Sequence, residues 1–150
     1  LRGGKTGNQR RVYLIDTNVI SEARKGARAD PGVRAFFDAS IAGRVRLYLS
    51  AVTVGELRRG VELIRHRGDA TQAGLLQAWL SSVLQDYREQ LLPFDADVAQ
   101  VWGRLRVPHH EHAIDKQLAA TALIYDLTLV TRNVADFSVT GVRLFNPFSN

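Results

Sequence analysis

At 150 residues, with 45% hydrophobic content and no cysteine, the chain has the size of one domain with a sizeable core, and disulfides, thiolate catalysis and thiolate zinc sites are excluded. Its formal net charge of +5 gathers at the start: Arg2, Lys5, Arg10 and Arg11 stand in a Gly-rich stretch without an acid, so residues 1–11 read as a disordered basic tail and residues 12–150 as the domain. No apolar run reaches the roughly 18 residues of a membrane span, and no apolar leader core opens the sequence, which predicts a cytoplasmic protein.

The first element is an apolar run, Val12-Tyr13-Leu14-Ile15, which reads as a buried strand. It ends at Asp16, and residues 17–25 read as a helix closed near Gly26. Asp30-Pro31 supplies an N-cap and a proline at the first helical position, and Gly43 supplies the stop. Val33, Phe36, Phe37 and Ile41 give that helix an apolar face. Residues 46–51 read as a second strand. Thr53-Val54-Gly55-Glu56 matches a capping box and predicts a helix starting there, with Leu57, Val61 and Ile64 on its apolar face. Gly68-Asp69 breaks this span and caps a second long helix running to about Gln90, which makes a helical hairpin projecting from the sheet. A short strand over 91–94, an Asp95-capped helix to Arg106, a loop over 108–112 and an Ala-rich helix over 114–125 come next. A strand over 127–130, a turn or short helix over 133–137 and a last strand over 142–145 complete the chain. Strands alternating with helices predict an α/β fold, a parallel sheet with helices on both faces.

Four acids stand at comparable places in this pattern. Asp16 ends the first strand, Glu56 and Asp115 fall near helix starts, and Asp136 follows the penultimate strand. Each has a plain explanation alone: Asp16 as an N-cap, Glu56 as the fourth member of a capping box, Asp115 as an anion near a helix N-terminus, Asp136 as a solvated loop residue. Together they fall at one edge of a parallel sheet, where α/β proteins build their sites. Four converging carboxylates cannot all remain charged without a cation between them. Hard oxygen ligands select Mg²⁺ or Mn²⁺, and such ions assist phosphodiester hydrolysis. Thr17 and Asn18 add polar groups at the same strand tip.

Four segments occur in order: Leu14-Ile15-Asp16-Thr17-Asn18-Val19-Ile20-Ser21-Glu22, then Ser50-Ala51-Val52-Thr53-Val54-Gly55-Glu56-Leu57, then Asp115-Lys116-Gln117-Leu118-Ala119-Ala120-Thr121-Ala122, then Leu129-Val130-Thr131-Arg132-Asn133-Val134-Ala135-Asp136-Phe137. With them the chain, over residues 12–148, resembles the PIN-domain ribonucleases, specifically the VapC-type toxins of bacterial toxin–antitoxin pairs. The resemblance implies a three-layer α/β/α sandwich and endonucleolytic cleavage of RNA dependent on Mg²⁺ or Mn²⁺, with an ion-activated water as nucleophile. Asp16, Glu56, Asp115 and Asp136 match the family's catalytic, metal-binding acids. Thr17, Thr131 and Asn133 match polar positions that, with Asn18, would orient those acids. It also implies a homodimer and inhibition by a VapB-type antitoxin. Two other readings stay open: a PIN-like nuclease acting on structured DNA, and a catalytically weak RNA-binding PIN module.

Two features lie outside the acids. Arg58, Arg59 and Arg65 fall on the helix that carries Glu56, either as an RNA phosphate track or as a solvated face with Glu62 pairing Arg58. The segment His109-His110-Glu111-His112 is rich in potential zinc ligands, but they are nearly adjacent and lack a distant partner motif, so a structural or RNA-contacting role is favoured. His110 or His112 could also face the acids and tune the site's pH dependence. Trp79, Leu80, Val83, Leu84 and Trp102 are available to the core or to a partner surface, with core the default.

Overall fold

A computed structural model describes residues 11–149, so the predicted basic tail, Arg11 apart, lies outside the described residues. The elements in order are β1 (Tyr13–Ile15), α1 (Thr17–Ala23), α2 (Pro31–Ala42), β2 (Leu47–Ser50), α3 (Ala51–His66), α4 (Ala70–Asp86), β3 (Leu91–Leu92), α5 (Ala96–Leu105), α6 (Ala113–Ile124), β4 (Thr128–Val130), α7 (Val134–Phe137) and β5 (Leu144–Phe145). The strands form one sheet in the order β3-β2-β1-β4-β5, with every pairing parallel.

The strand sequences explain the layers. Successive side chains point to opposite faces. Ile15, Leu49 and Val130 enter one core, with Val19, Ile20, Val33, Leu57, Val61, Leu80 and Val83 from α1 to α4. Leu14 and Leu129 enter the other, with Leu118, Ala119 and Ala122 of α6 and Phe137 of α7. Register keeps the faces aligned: Leu14 lies beside Leu129, and Ile15 beside Val130. With apolar layers on both sides the strands have no polar face, which is why they read as continuous apolar runs. The result is the predicted α/β/α sandwich. Among the described residues no helix is long and apolar enough to cross a membrane.

Most helix boundaries follow their caps. Asp30 accepts the amides of Gly32 and Val33 and starts α2. Asp69 accepts the amide of Gln72 and starts α4, and Asp95 that of Val98 at the head of α5. The capping box at residues 53–56 is a misreading. The cap of α3 is Ser50, whose hydroxyl accepts the Val52 amide, and Thr53 is fully buried one turn inside the helix. Glu56 therefore makes no capping bond back to the backbone. Leu57, Val61, Leu80 and Val83 seat the base of the α3–α4 hairpin in the core, while its tip at residues 65–71 is exposed. Trp79 and Leu84 pack against the same core. Trp102 stacks edge-on to Phe94 and donates its indole N–H to the Ala113 carbonyl at 2.9 Å, tying α5 to the head of α6. Trp79, Leu80, Val83 and Leu84 thus take the core roles favoured for them, while Trp102 joins two helices outside the core clusters.

Candidate functional site

In a parallel sheet the C-terminal ends of all strands share one edge. β1 delivers Asp16 there and β4 delivers Thr131. α6 runs back against the strand that follows it, so its first turn, carrying Asp115, comes to the same edge. α3 leaves that edge directly from β2, which puts Thr53 and, three residues on along the same helix face, Glu56 close to β1.

Asp16 is only 4% exposed. Its carboxylate accepts the Thr17 amide at 2.6 Å and the Thr131 hydroxyl at 2.7 Å, while its own amide donates to the Val130 carbonyl at 2.9 Å. Thr131 Oγ1 also accepts the Asn133 amide at 3.0 Å, which fixes the hydroxyl's direction: its proton goes to Asp16. Burial pushes the Asp16 carboxyl above its ordinary 3.8. The Thr131 and Thr17 hydrogen bonds oppose that, and the charges of Asp115 and Glu56 reinforce it. Asp115 is also pushed up, first by burial, then by the charge of Asp136; His112 opposes the rise and Glu56 adds to it. Asp16 and Asp115 thus each feel Glu56, and Asp115 links Asp16 to Asp136.

The supporting polar residues fall into place around this cluster. Thr17 Oγ1 donates to Thr53 Oγ1 at 3.3 Å. Asn18 Oδ1 accepts the Arg132 amide at 3.4 Å, joining the strand tips of β1 and β4. Asn133 caps α7, the four-residue helix that carries Asp136, without a side-chain capping bond. Of the basic residues on α3, Arg58 and Arg65 both bind Glu62, at 3.1 and 2.6 Å, and both bind Gln77 Oε1 of α4, at 3.3 and 2.7 Å. That is the paired, solvated face. Arg59 is exposed, and among the described residues it pairs with no acid.

Two residues at this edge carry more than their sequence context suggested. Thr53, read as a cap, is a buried hydroxyl against Thr17. His112 puts a ring nitrogen 3.9 Å from Asp115 Oδ2, and donor atoms of His112, Asp115 and Asp136 all lie within 4.8 Å of one another. Asp136, from beyond β4, thus lies near the His-rich segment. His109 and His110 lie nearer Glu111, at 4.0 and 3.9 Å, with exposed rings.

This donor set, carboxylate oxygens with one imidazole beside them, has the chemistry of a divalent-cation site. A cation there would relieve the two raised carboxyls. The fold and the edge together define an α/β protein with an acidic cluster at the strand tips, Asp16 buried at its base and Asp136 exposed at its rim. The sequence matches the PIN domain over residues 13–141, and the chain belongs to the PIN domain family. It is 38% identical over 145 residues to Toxin FitB of Neisseria gonorrhoeae, covering 91% of this chain and 99% of that one. It is 33% identical over 143 residues to a VapC ribonuclease of Sinorhizobium fredii, covering 91% and 98%. Among solved structures, FitAcB from Neisseria gonorrhoeae superposes with a TM-score of 0.77 at 36% identity, covering 91% of this chain and 98% of that chain.

Proposed function

We propose that the chain is a metal-dependent endoribonuclease, the toxin of a toxin–antitoxin pair. The observation that carries this reading is the gathering of acids at one sheet edge, where the charges of Asp115 and Glu56 bear on buried Asp16 and those of Asp136 and Glu56 bear on Asp115. Burying a carboxyl beside such charges is unfavourable unless a cation joins them. These four acids are the proposed ligands, and Mg²⁺ or Mn²⁺ the proposed ion. When bound, the ion supplies a Lewis acid for the scissile phosphate and lowers the pKa of an attacking water.

The chain's own residues do the rest. Thr131 and the Thr17 amide hold Asp16 in one orientation, and Asn133 fixes Thr131 in turn. Thr53 steadies Thr17. Such preorganisation spares the site from rearranging as charge develops on the phosphate. Arg59 is the proposed phosphate contact on α3, since Arg58 and Arg65 are engaged with Glu62. The relatives suggest the partners: an antitoxin of the VapB or FitA kind, and a second copy of the chain as a homodimer.

The test is purified protein on end-labelled total RNA, with Mg²⁺, with Mn²⁺ and with EDTA, alongside Asp16→Asn. Internal cleavage by the wild type alone, abolished by EDTA, is expected. Equal cleavage by Asp16→Asn, or cleavage that persists in EDTA, refutes the reading. Cutting of a structured DNA in place of RNA transfers it to the DNA nuclease, and binding of RNA without cleavage to the weak module.

A further inference from the structure

The His-rich loop before α6 is more firmly built than its exposure suggests. Lys116 is a lysine only 3% exposed, and its ammonium donates to the His109 carbonyl. Arg106 Nε reaches the His110 carbonyl at 3.5 Å, and its guanidinium lies 4.6 Å over the Trp102 ring. The Trp102 indole holds the Ala113 carbonyl, and the Lys116 amide donates to the His112 carbonyl at 2.9 Å. The loop is thus pinned on both sides of His112. His112 itself takes the left-handed conformation, φ 57 and ψ 45, which few non-glycine residues adopt without a reason in their surroundings.

The pinning fixes the backbone from which the half-exposed His112 ring extends toward Asp115. At 3.9 Å from Asp115 Oδ2 its nitrogen is too far for a hydrogen bond. Two ligands of an octahedral ion, each about 2.1 Å from it, lie roughly 3 Å apart when adjacent and about 4.2 Å when opposite. The 3.9 Å separation falls inside that span, and the 4.8 Å limit on the trio with Asp136 needs only a small closure. An ordinary surface pair between His112 and Asp115 would account for the first contact. It does not account for the simultaneous approach of Asp136, which arrives from beyond β4 on a separate helix.

We propose that His112 is a nitrogen ligand of the ion held by Asp115 and Asp136, and that it shifts the site's preference from Mg²⁺ toward Mn²⁺. Carboxylates and water suit Mg²⁺ and Mn²⁺ alike, so an added imidazole, a softer ligand than hard Mg²⁺ favours, tips the balance toward the transition ion. The inference rests on the metal-dependent reading above and adds to it a ligand that the four acids do not include.

The experiment is pulsed electron paramagnetic resonance of Mn²⁺ bound to the full chain, reading the echo modulation from ¹⁴N. It is run on wild type, His112→Gln and His110→Gln, with Mg²⁺ competition measured on each and folding checked by circular dichroism. Nitrogen modulation is expected in wild type and His110→Gln and not in His112→Gln. The Mn²⁺-over-Mg²⁺ preference should fall on the order of tenfold in His112→Gln, the lower end of what disturbing a ligand's surroundings costs. Bound Mn²⁺ without nitrogen modulation in wild type, or modulation that survives in His112→Gln, overturns the inference and leaves the nuclease reading standing. Failure of folded wild type to bind Mn²⁺ overturns both.

Discussion

Gly32→Ala should destabilise the protein, although helix propensity alone says the opposite. Gly32 follows Pro31 in the first turn of α2. A β-carbon there would sit 2.1 Å from the Pro147 carbonyl oxygen and 3.0 Å from the Ser149 amide, against an ordinary carbon–oxygen contact of about 3.3 Å. The chain end must therefore retreat by roughly an ångström. That retreat breaks the bonds from Ser149 N and Oγ to the Asp30 carboxylate, 3.0 and 2.8 Å, at about 0.5–1.5 kcal/mol each. It also lifts Phe148 from the core edge where it packs, at about 1 kcal/mol of lost burial. Alanine's better propensity returns at most about 1 kcal/mol. The net loss is about 1–3 kcal/mol, which for a chain of this size lowers the melting temperature by roughly 2–12 °C. Gly60→Ala is the control, since its β-carbon meets nothing within 4 Å; it should stabilise by about 0.5–1 kcal/mol. Thermal and urea unfolding of both variants decide the matter. If Gly32→Ala is as stable as wild type while Gly60→Ala gains, the packing of the chain end on α2 is wrong.

The other predictions concern the acidic edge. Asp16 and Asp115 both titrate above their ordinary 3.8 in the folded protein, so in metal-free buffer the folded state holds more protons than the unfolded one above that pH, and stability falls as pH rises through the raised values. Asp16→Asn should remove part of that fall, and added Mg²⁺ should counter it more in wild type than in the variant; parallel wild-type and variant stability curves between pH 4 and about 7 would refute the assignment. Thr131→Val keeps the side chain's shape but deletes the donor to Asp16 and the acceptor for Asn133. It should cost about 2–3 kcal/mol and weaken Mn²⁺ binding by about tenfold, and an unchanged calorimetric Mn²⁺ titration would show that Thr131 does not orient the site.

The acids were legible because position along the chain encodes position in the sheet. A strand buried on both faces announces itself as an apolar run, and the first residue past its C-terminal end lies at the edge. Asp16 and Thr131 needed nothing more. Glu56 was found for a partly wrong reason. Ser50 and Thr53 are both capping residue types three apart, and local chemistry does not say which one caps. The tertiary structure decides: the Thr53 hydroxyl meets Thr17 across the interface between α1 and α3, so it is inside and Ser50 caps. The pairing of Arg58 and Arg65 was only half legible: Glu62 is in sequence reach, but Gln77, which shares both with Glu62, is brought up by the α4 arm of the hairpin.

His112 marks the limit of that legibility. Sequence shows it three residues before Asp115, a spacing that suits a helical pair, yet His112 lies outside the helix in a left-handed turn. Its second neighbour, Asp136, is separated from it by α6 and β4. α6 running back along β4 and meeting α7 brings the two together. The β1–β4 pairing brings Thr131 to Asp16. β4 is thus shared by both halves of the edge, the Asp16–Thr131 bond on one side and the His112–Asp115–Asp136 trio on the other. A substitution that loosens the β1–β4 pairing should then disturb metal binding more than an equally destabilising change in the α3–α4 hairpin tip, which touches neither half.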